Sequence, residues 1–224
     1  MTSPKNTGPR DYSPETLLSD NSMRWKGFDR EALLALVHKK QAEEPITWLR
    51  HPEVRYEVTD HCNAECIMCP RDVHKLGRPH GIMDRRQYEK SIDEVTALGC
   101  KQVVLTSFGE PLIDKGLEQK IAYAKSKGLR TYIISNASLL TKRRAKGLIE
   151  AGLDELRISY YGMRKESYEK VMVGLNFETT MKNLADFMEL REELGSKRPR
   201  LEISLLVLPE NEHETEFFKE YWLE

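Results

Sequence analysis

Between Val54 and Glu214 the sequence passes five times through one series: a short β-branched run, a polar loop, and an amphipathic stretch, most often closed by a glycine. No other feature restricts the fold as strongly. The strand-like runs are VRYEVT (54–59), QVVLTS (102–107), TYIIS (131–135), ELRISY (155–160) and LEISLLVL (201–208). Each is followed by enough chain for a helical return to the same end, so the strands are expected to be parallel with right-handed crossovers. The class is α/β, with about five parallel strands and flanking helices. Periodicity leaves open whether such a sheet curls into a partial barrel or stays flat. In either case ligands belong at the carboxyl ends of the strands.

The helices announce their ends. Asp84 with Gln87 has capping-box spacing, Tyr88, Ile92, Val95 and Leu98 mark a buried face, and Gly99 is placed as a stop. Leu117, Ile121 and Ala124 lead to Gly128. Thr141 caps a stretch with Ala145, Leu148 and Ile149 that closes at Gly152. A long helix carrying Met181, Leu184, Met188 and Arg191 ends at Gly195, and Asn211 with Glu214 repeats the capping-box spacing before a final helix. Lys142, Arg143 and Arg144 read as a solvated helix face, and Phe217, Phe218, Tyr221 and Trp222 as an aromatic cluster. Upstream, residues 1–27 read as a disordered arm rich in Ser, Thr, Pro, Asn and Asp. Residues 28–53 read as a short helix, capped by Asp29 and carrying Leu33, Leu36 and Val37, then a linker; residues 54–224 form the core.

Charge narrows the function. With 35 basic against 36 acidic side chains the net charge is -1, which argues against a nucleic-acid partner. No run approaches the ~20 apolar residues that span a bilayer, and the first residues lack a secretory apolar segment, so no membrane role and a cytoplasmic location are expected. The 4 cysteines are too few for a disulfide scaffold. Three of them, Cys62, Cys66 and Cys69, follow the first strand in DHCNAECIMCP, which points to metal chemistry. Three thiolates spaced CxxxCxxC can bind three corners of a cuboidal iron–sulfur cluster, leaving the fourth iron open to a small molecule. Zinc is a competitor. A structural zinc site asks for four closed ligands, and Cys100, His61 or His74 would have to complete it. An inert thiol cluster is the third reading. Cys100 itself reads as a small buried hydrophobe.

The CxxxCxxC spacing after a first strand resembles the hallmark of the radical S-adenosyl-L-methionine (radical SAM) superfamily, and the likeness extends from Val54 to about Glu214. Many members have an aromatic residue before the third cysteine; here it is Met68. The run CIMCPR, Cys66 to Arg71, is similar to the subgroup that adds a C-terminal SPASM domain with further clusters. Ser107-Phe108-Gly109-Glu110-Pro111 resembles the family's GGE-type loop, which contacts the methionine amino group, with Phe108 in place of the first glycine. A small residue there suits close approach to a zwitterion. Ser135-Asn136-Ala137 resembles the family's TNG segment. Ser159 matches a polar position facing ribose or carboxylate, and Val207 and Leu208 align with a segment whose backbone meets adenine.

The resemblance implies a partial (β/α) barrel of the radical SAM type. It implies that Cys62, Cys66 and Cys69 ligate a [4Fe-4S] cluster, and that Gly109, Glu110, Ser135, Asn136 and Ser159 bind SAM. It implies reductive cleavage of SAM to a 5′-deoxyadenosyl radical that abstracts hydrogen from a peptide or small-molecule substrate. The electron would come from a low-potential donor of flavodoxin or ferredoxin type. A full core of this family has about six strand–helix units; here a fifth is the last and no cysteine follows Cys100, so the expectation is a core truncated before the sixth strand and the SPASM domain. That departure keeps two rivals in view: a catalytically incompetent iron–sulfur module, and a zinc-stabilised α/β interaction scaffold.

Overall fold

The computed structural model describes residues 53–70 and 80–223. All of these belong to one of the two units into which the chain divides, His51–Glu224; the other, Met1–Arg50, lies outside the described residues. The proposed arm at 1–27, the Asp29-capped helix and His74 therefore fall outside the description as well.

Five strands form a single parallel sheet in the order of the sequence: β1 (Glu53–Arg55), β2 (Gln102–Val104), β3 (Arg130–Ser135), β4 (Glu155–Ser159) and β5 (Arg200–Ser204). The registers run Val54 to Val103, Val104 to Tyr132, Ile134 to Arg157 and Ile158 to Ile203. Consecutive neighbours in sequential order are what right-handed crossovers produce when every helix falls on one side. The helices are α1 (Arg85–Ala97), α2 (Leu117–Ser126), α3 (Lys142–Glu150), α4 (Lys165–Val171), α5 (Phe177–Glu193) and α6 (Thr215–Leu223). α1 packs on α2, α2 on α3, α3 on α5 and α4 on α5, one continuous layer. The fold class is the expected α/β one, an unclosed parallel sheet with β1 and β5 as its two outer strands.

The core lies between this layer and the sheet. Ile92, Ile121, Leu148, Ile133, Leu156 and Ile158 have no exposed surface, and each such side chain stabilises the fold by about 1.5–3 kcal/mol. Alternate strand residues point to the other face, where Tyr132, Ile134, Arg157, Ser159 and Glu202 are only partly buried. That face is polar. Arg157 Nε lies 3.3 Å from Glu202 Oε1, and Glu155 is flanked by Arg130 and Arg200.

The helix ends form for the expected reasons. Asp84 accepts from the backbone N–H groups of Arg86 and Gln87 at 2.9 and 3.1 Å, and Thr141 accepts from Arg144 at 3.4 Å. Gly99, Gly128, Gly152 and Gly195 all take positive φ at the ends of helices. At the amino ends of the strands the buried Asp154 gathers Lys125 Nζ at 2.6 Å, the Thr131 N–H at 2.9 Å and Arg198. Burial would raise its carboxyl, but these donors prevail and hold it below the ordinary aspartate value.

Several expectations are corrected. Leu98 is 77% exposed because it is the C-cap of α1, beyond the last turn that packs. The chain between Ser159 and α5 forms an extra helix, α4, that periodicity did not separate. β5 stops at Ser204, well short of Leu208. The reason is Asn211, which is fully buried: its Nδ2 donates to the carbonyls of Tyr161 and Leu206, and its Oδ1 accepts from the Leu208 N–H at 2.7 Å. Those bonds fold 205–208 into a loop, and Asn211, although it precedes a 3-10 turn over Glu212–Glu214 as its N-cap residue, makes no side-chain capping bond. Its supposed partner Glu214 is buried too, accepting from Met163 N–H at 2.6 Å and Ser167 Oγ at 2.7 Å. Arg144 leaves the solvated face and reaches Glu118 and the carbonyls of Leu112 and Asp114. Cys100 is buried as expected, its thiol donating to the Gln102 carbonyl at 3.1 Å.

Candidate active site

Three loops leave the carboxyl ends of β1, β2 and β3 and meet. The first carries the cysteines. Before it, Thr59 Oγ1 donates to the Gly81 carbonyl at 3.1 Å and accepts from the His61 N–H at 3.1 Å, while the buried Asp60 accepts from the Gly81 N–H at 2.8 Å. These contacts fix where the loop starts. Farther on, the N–H groups of Glu65 and Ile67 donate to the carbonyls of Val173 and Val171 at 2.8 and 3.0 Å, and the Cys69 N–H donates to the Cys66 carbonyl at 2.9 Å. Cys62, Cys66 and Cys69 are half-buried on this single loop, and no two of the four cysteines are joined in a disulfide. Among the described residues, no three His, Cys, Asp or Glu side chains close around one metal ion. Three half-buried thiols on a loop held by its own backbone are a donor set that fits a cluster whose irons are shared out one per cysteine.

The second loop is pinned to the first. The Glu110 N–H donates to the His61 carbonyl at 2.8 Å. Gly109 lies so close beneath that a Cβ there would stand 2.1 Å from the Thr59 carbonyl oxygen. Glycine is required at this position by the cysteine segment itself, a reason the sequence did not suggest. Glu110 then turns inward. Its carboxylate accepts from Ser135 Oγ at 2.7 Å, from the Asn136 N–H at 2.8 Å and from the Leu112 N–H at 3.0 Å, and the residue is 3% exposed. Burial pushes its carboxyl above the ordinary glutamate value, and the Asn136, Ser135 and Leu112 hydrogen bonds with the Arg144 charge pull it partly back.

The third element is the turn Ser135–Ser138. Ala137 takes φ +58°, the left-handed region where glycine is unstrained. Two clamps hold it there. The Ala137 N–H donates to Ser135 Oγ at 3.0 Å, and Asn183 of α5 donates Nδ2 to the carbonyls of Ala137 and Ser138 at 3.0 and 2.9 Å. Asn136 Oδ1 accepts from the Ser138 N–H and hydroxyl at 2.9 and 2.7 Å.

Of the residues singled out in the sequence, Glu110, Ser135 and Asn136 thus share one hydrogen-bonded network with the start of the cysteine loop, and Gly109 packs against that loop. Ser159 stands apart at the end of β4, half-buried, its Oγ accepting from the Tyr161 hydroxyl at 3.1 Å. In the loop after β5, Val207 is exposed. Sequence reasoning missed Asn63 and Asn183, and it left Arg144 on a solvated face. Asn63 lies inside the cysteine motif and could have been questioned; nothing local marks the other two.

Comparison with known families decides the lineage. The model of the radical SAM superfamily matches residues 56–221. The chain belongs to the radical SAM superfamily. Membership implies a [4Fe-4S] cluster and SAM as cofactors. Among curated radical SAM relatives, a GTP 3',8-cyclase of Pelotomaculum thermopropionicum is 33% identical over 125 residues, covering 55% of this chain and 38% of that protein. An Fe-coproporphyrin III synthase of Methanosarcina barkeri is 28% identical over 174 residues, covering 68% of this chain and 43% of that one. The chain therefore spans less than half the length of either. The crystal structure of Streptococcus suis SuiB bound to S-adenosylmethionine superposes with a TM-score of 0.60 at 17% identity, over 92% of this chain and 46% of SuiB, a likeness of fold. No described helix of this radical SAM chain is long and apolar enough to cross a membrane.

Proposed function

We propose that the chain is the catalytic core of a radical SAM enzyme. The observation that carries this reading is the hydrogen-bonded convergence of the cysteine loop, the Gly109–Glu110 loop and the Ser135–Ser138 turn at the carboxyl ends of adjacent strands. Cys62, Cys66 and Cys69 hold a [4Fe-4S] cluster, and Gly109, Glu110, Ser135, Asn136 and Ser159 form the SAM site beside it. When bound, these cofactors supply a 5′-deoxyadenosyl radical by one-electron reductive cleavage of the sulfonium.

The protein's own residues do the placing. Gly109 lets the second loop lie against the cysteine segment, so that exposed backbone is presented next to the thiolates. Glu110 and Ser135 act mainly on each other, fixing the distance between two loops, while Ser159 offers a hydroxyl from β4. The partly exposed sheet face, with Tyr132, Arg157 and Glu202, favours a polar substrate, either a peptide or a small molecule. A low-potential donor of flavodoxin or ferredoxin type supplies the electron, in a cytoplasmic setting that keeps the thiols reduced.

Anaerobic reconstitution followed by SAM and dithionite tests the reading. The expected result is iron bound in proportion to protein, and 5′-deoxyadenosine with methionine as products. A cluster without cleavage would reduce the chain to an iron–sulfur binding module. Zinc in place of iron, with no cluster, would sink the proposal.

A further inference from the structure

Asn63 follows the first cysteine directly and carries no charge, nucleophile or metal-binding character. It is exposed, yet both ends of its amide are engaged across a wide sequence gap. Its Nδ2 donates to Ser138 Oγ at 2.8 Å, and its Oδ1 accepts from Asn136 Nδ2 at 3.2 Å. Both partners belong to the turn after β3. An exposed side chain gains little by ordering itself unless the geometry it fixes matters, because holding it still costs rotamer entropy. The turn it grips is the one that Glu110, Ser135 and Asn183 already hold in a left-handed conformation at Ala137.

We infer that Asn63 is a positioning residue that locks the cysteine loop in register with the SAM-side turn. The inference rests on the radical SAM reading and deepens it. Two other ties join neighbouring loops: the Glu110 N–H to His61 carbonyl bond joins the first loop to the second, and the Glu110 carboxylate joins the second to the third. Asn63 closes the triangle by joining the third loop directly to the first. With the triangle closed, a ligand bridging the thiolates and the turn meets a preformed gap. With it open, each binding event must order the turn against the loop, and affinity falls by that ordering cost. Asn63 touches neither substrate nor cofactor in this argument; it acts through Asn136 and Ser138.

The test uses the full chain with Asn63→Ala, Ser138→Ala and the double variant, each reconstituted anaerobically. Iron per chain and the melting midpoint should match the parent, because the amide is exposed and is not a ligand. SAM dissociation constants from equilibrium dialysis should rise about tenfold to thirtyfold in Asn63→Ala, the loss of two hydrogen bonds. The double variant should fall short of the product of the two single effects, since the Asn63–Ser138 bond is counted in both. In the protein without iron, hydrogen exchange at the Ser138 amide should quicken in Asn63→Ala. Parent-like SAM affinity would overturn the inference. So would loss of iron in step with loss of SAM, which would make Asn63 a folding residue of the loop, and so would single effects that multiply in the double variant. A parent chain that takes up no iron would instead sink the cluster reading, and the inference with it.

Discussion

Gly109→Ala adds one methyl group at the point where two functional loops touch. Its Cβ would stand 2.1 Å from the Thr59 carbonyl oxygen, 2.7 Å from the Thr59 carbonyl carbon and 2.8 Å from the His61 carbonyl oxygen. All three are backbone atoms, so no rotamer change relieves the clash. Ordinary contact lies near about 3.5 Å. The loops must therefore part by about 1.4 Å, which is 3.5 less the present 2.1. The Glu110 N–H bond to the His61 carbonyl, now 2.8 Å, would not survive that displacement, a loss of about 1 kcal/mol. Overpacking itself costs about 1–3 kcal/mol. Glu110 moves with its loop, and a buried carboxylate deprived of donors costs about 1–3 kcal/mol more. The terms share one displacement and do not simply add, which puts the total at about 3–5 kcal/mol. The expected melting midpoint falls by about 6–20 °C. Because the crowding atoms belong to the segment leading into Cys62, iron retention should fall together with SAM affinity. Gly81→Ala is the control: nothing lies within 4 Å of its Cβ, and its stability should change by less than about 0.5 kcal/mol. A Gly109→Ala chain with the parent's melting midpoint, iron content and SAM affinity would refute the reasoning.

Other outcomes follow from the same structure. Cys62→Ala, Cys66→Ala and Cys69→Ala should each abolish cluster binding, measured as iron per chain, whereas Cys100→Ala should keep it, because Cys100 is buried beside Gln102. Ala137→Gly releases about 1–2 kcal/mol of left-handed strain. It gives back about 0.8 kcal/mol for the buried methyl and about 0.4–1 kcal/mol of unfolded-chain entropy. Its denaturation midpoint should therefore stay near the parent's, while Ala137→Val should lose more than about 2 kcal/mol. Asp154 has its folded carboxyl held below the unfolded value, so its contribution is fully present above the ordinary aspartate range and fades as pH falls through the depressed folded value. Asp154→Asn should cost about 2–3 kcal/mol at neutral pH. Acid unfolding followed by circular dichroism should show the gap from the parent narrowing toward low pH; a constant gap would discount the carboxylate's charge.

Much of this protein is a consequence of local pattern. Apolar residues alternating by twos at Leu156 and Ile158 and by threes and fours at Leu117, Ile121 and Ala124 specify elements, and caps such as Asp84 and stops such as Gly128 bound them. Those signals act between near neighbours and can be read along the line. The three cysteines belong to the same class, because one short loop carries all of them. What tertiary structure decided lies between segments far apart in the chain. Glu110 looks like a carboxylate open to a ligand, but folding turns that carboxylate onto Ser135 and Asn136 within the proposed site. Asn211 looks like a helix cap, but it faces the carbonyls of Tyr161 and Leu206 and so cuts β5 short. Gly109 looks like room for a ligand, and the Thr59 carbonyl, 2.1 Å from where a Cβ would stand, gives a further reason for glycine that no local pattern reveals. In each case the residue type was legible and its partner was not. A polar side chain gives up water only for whatever donor or acceptor the fold brings within reach, and that identity is set by the packing of whole elements.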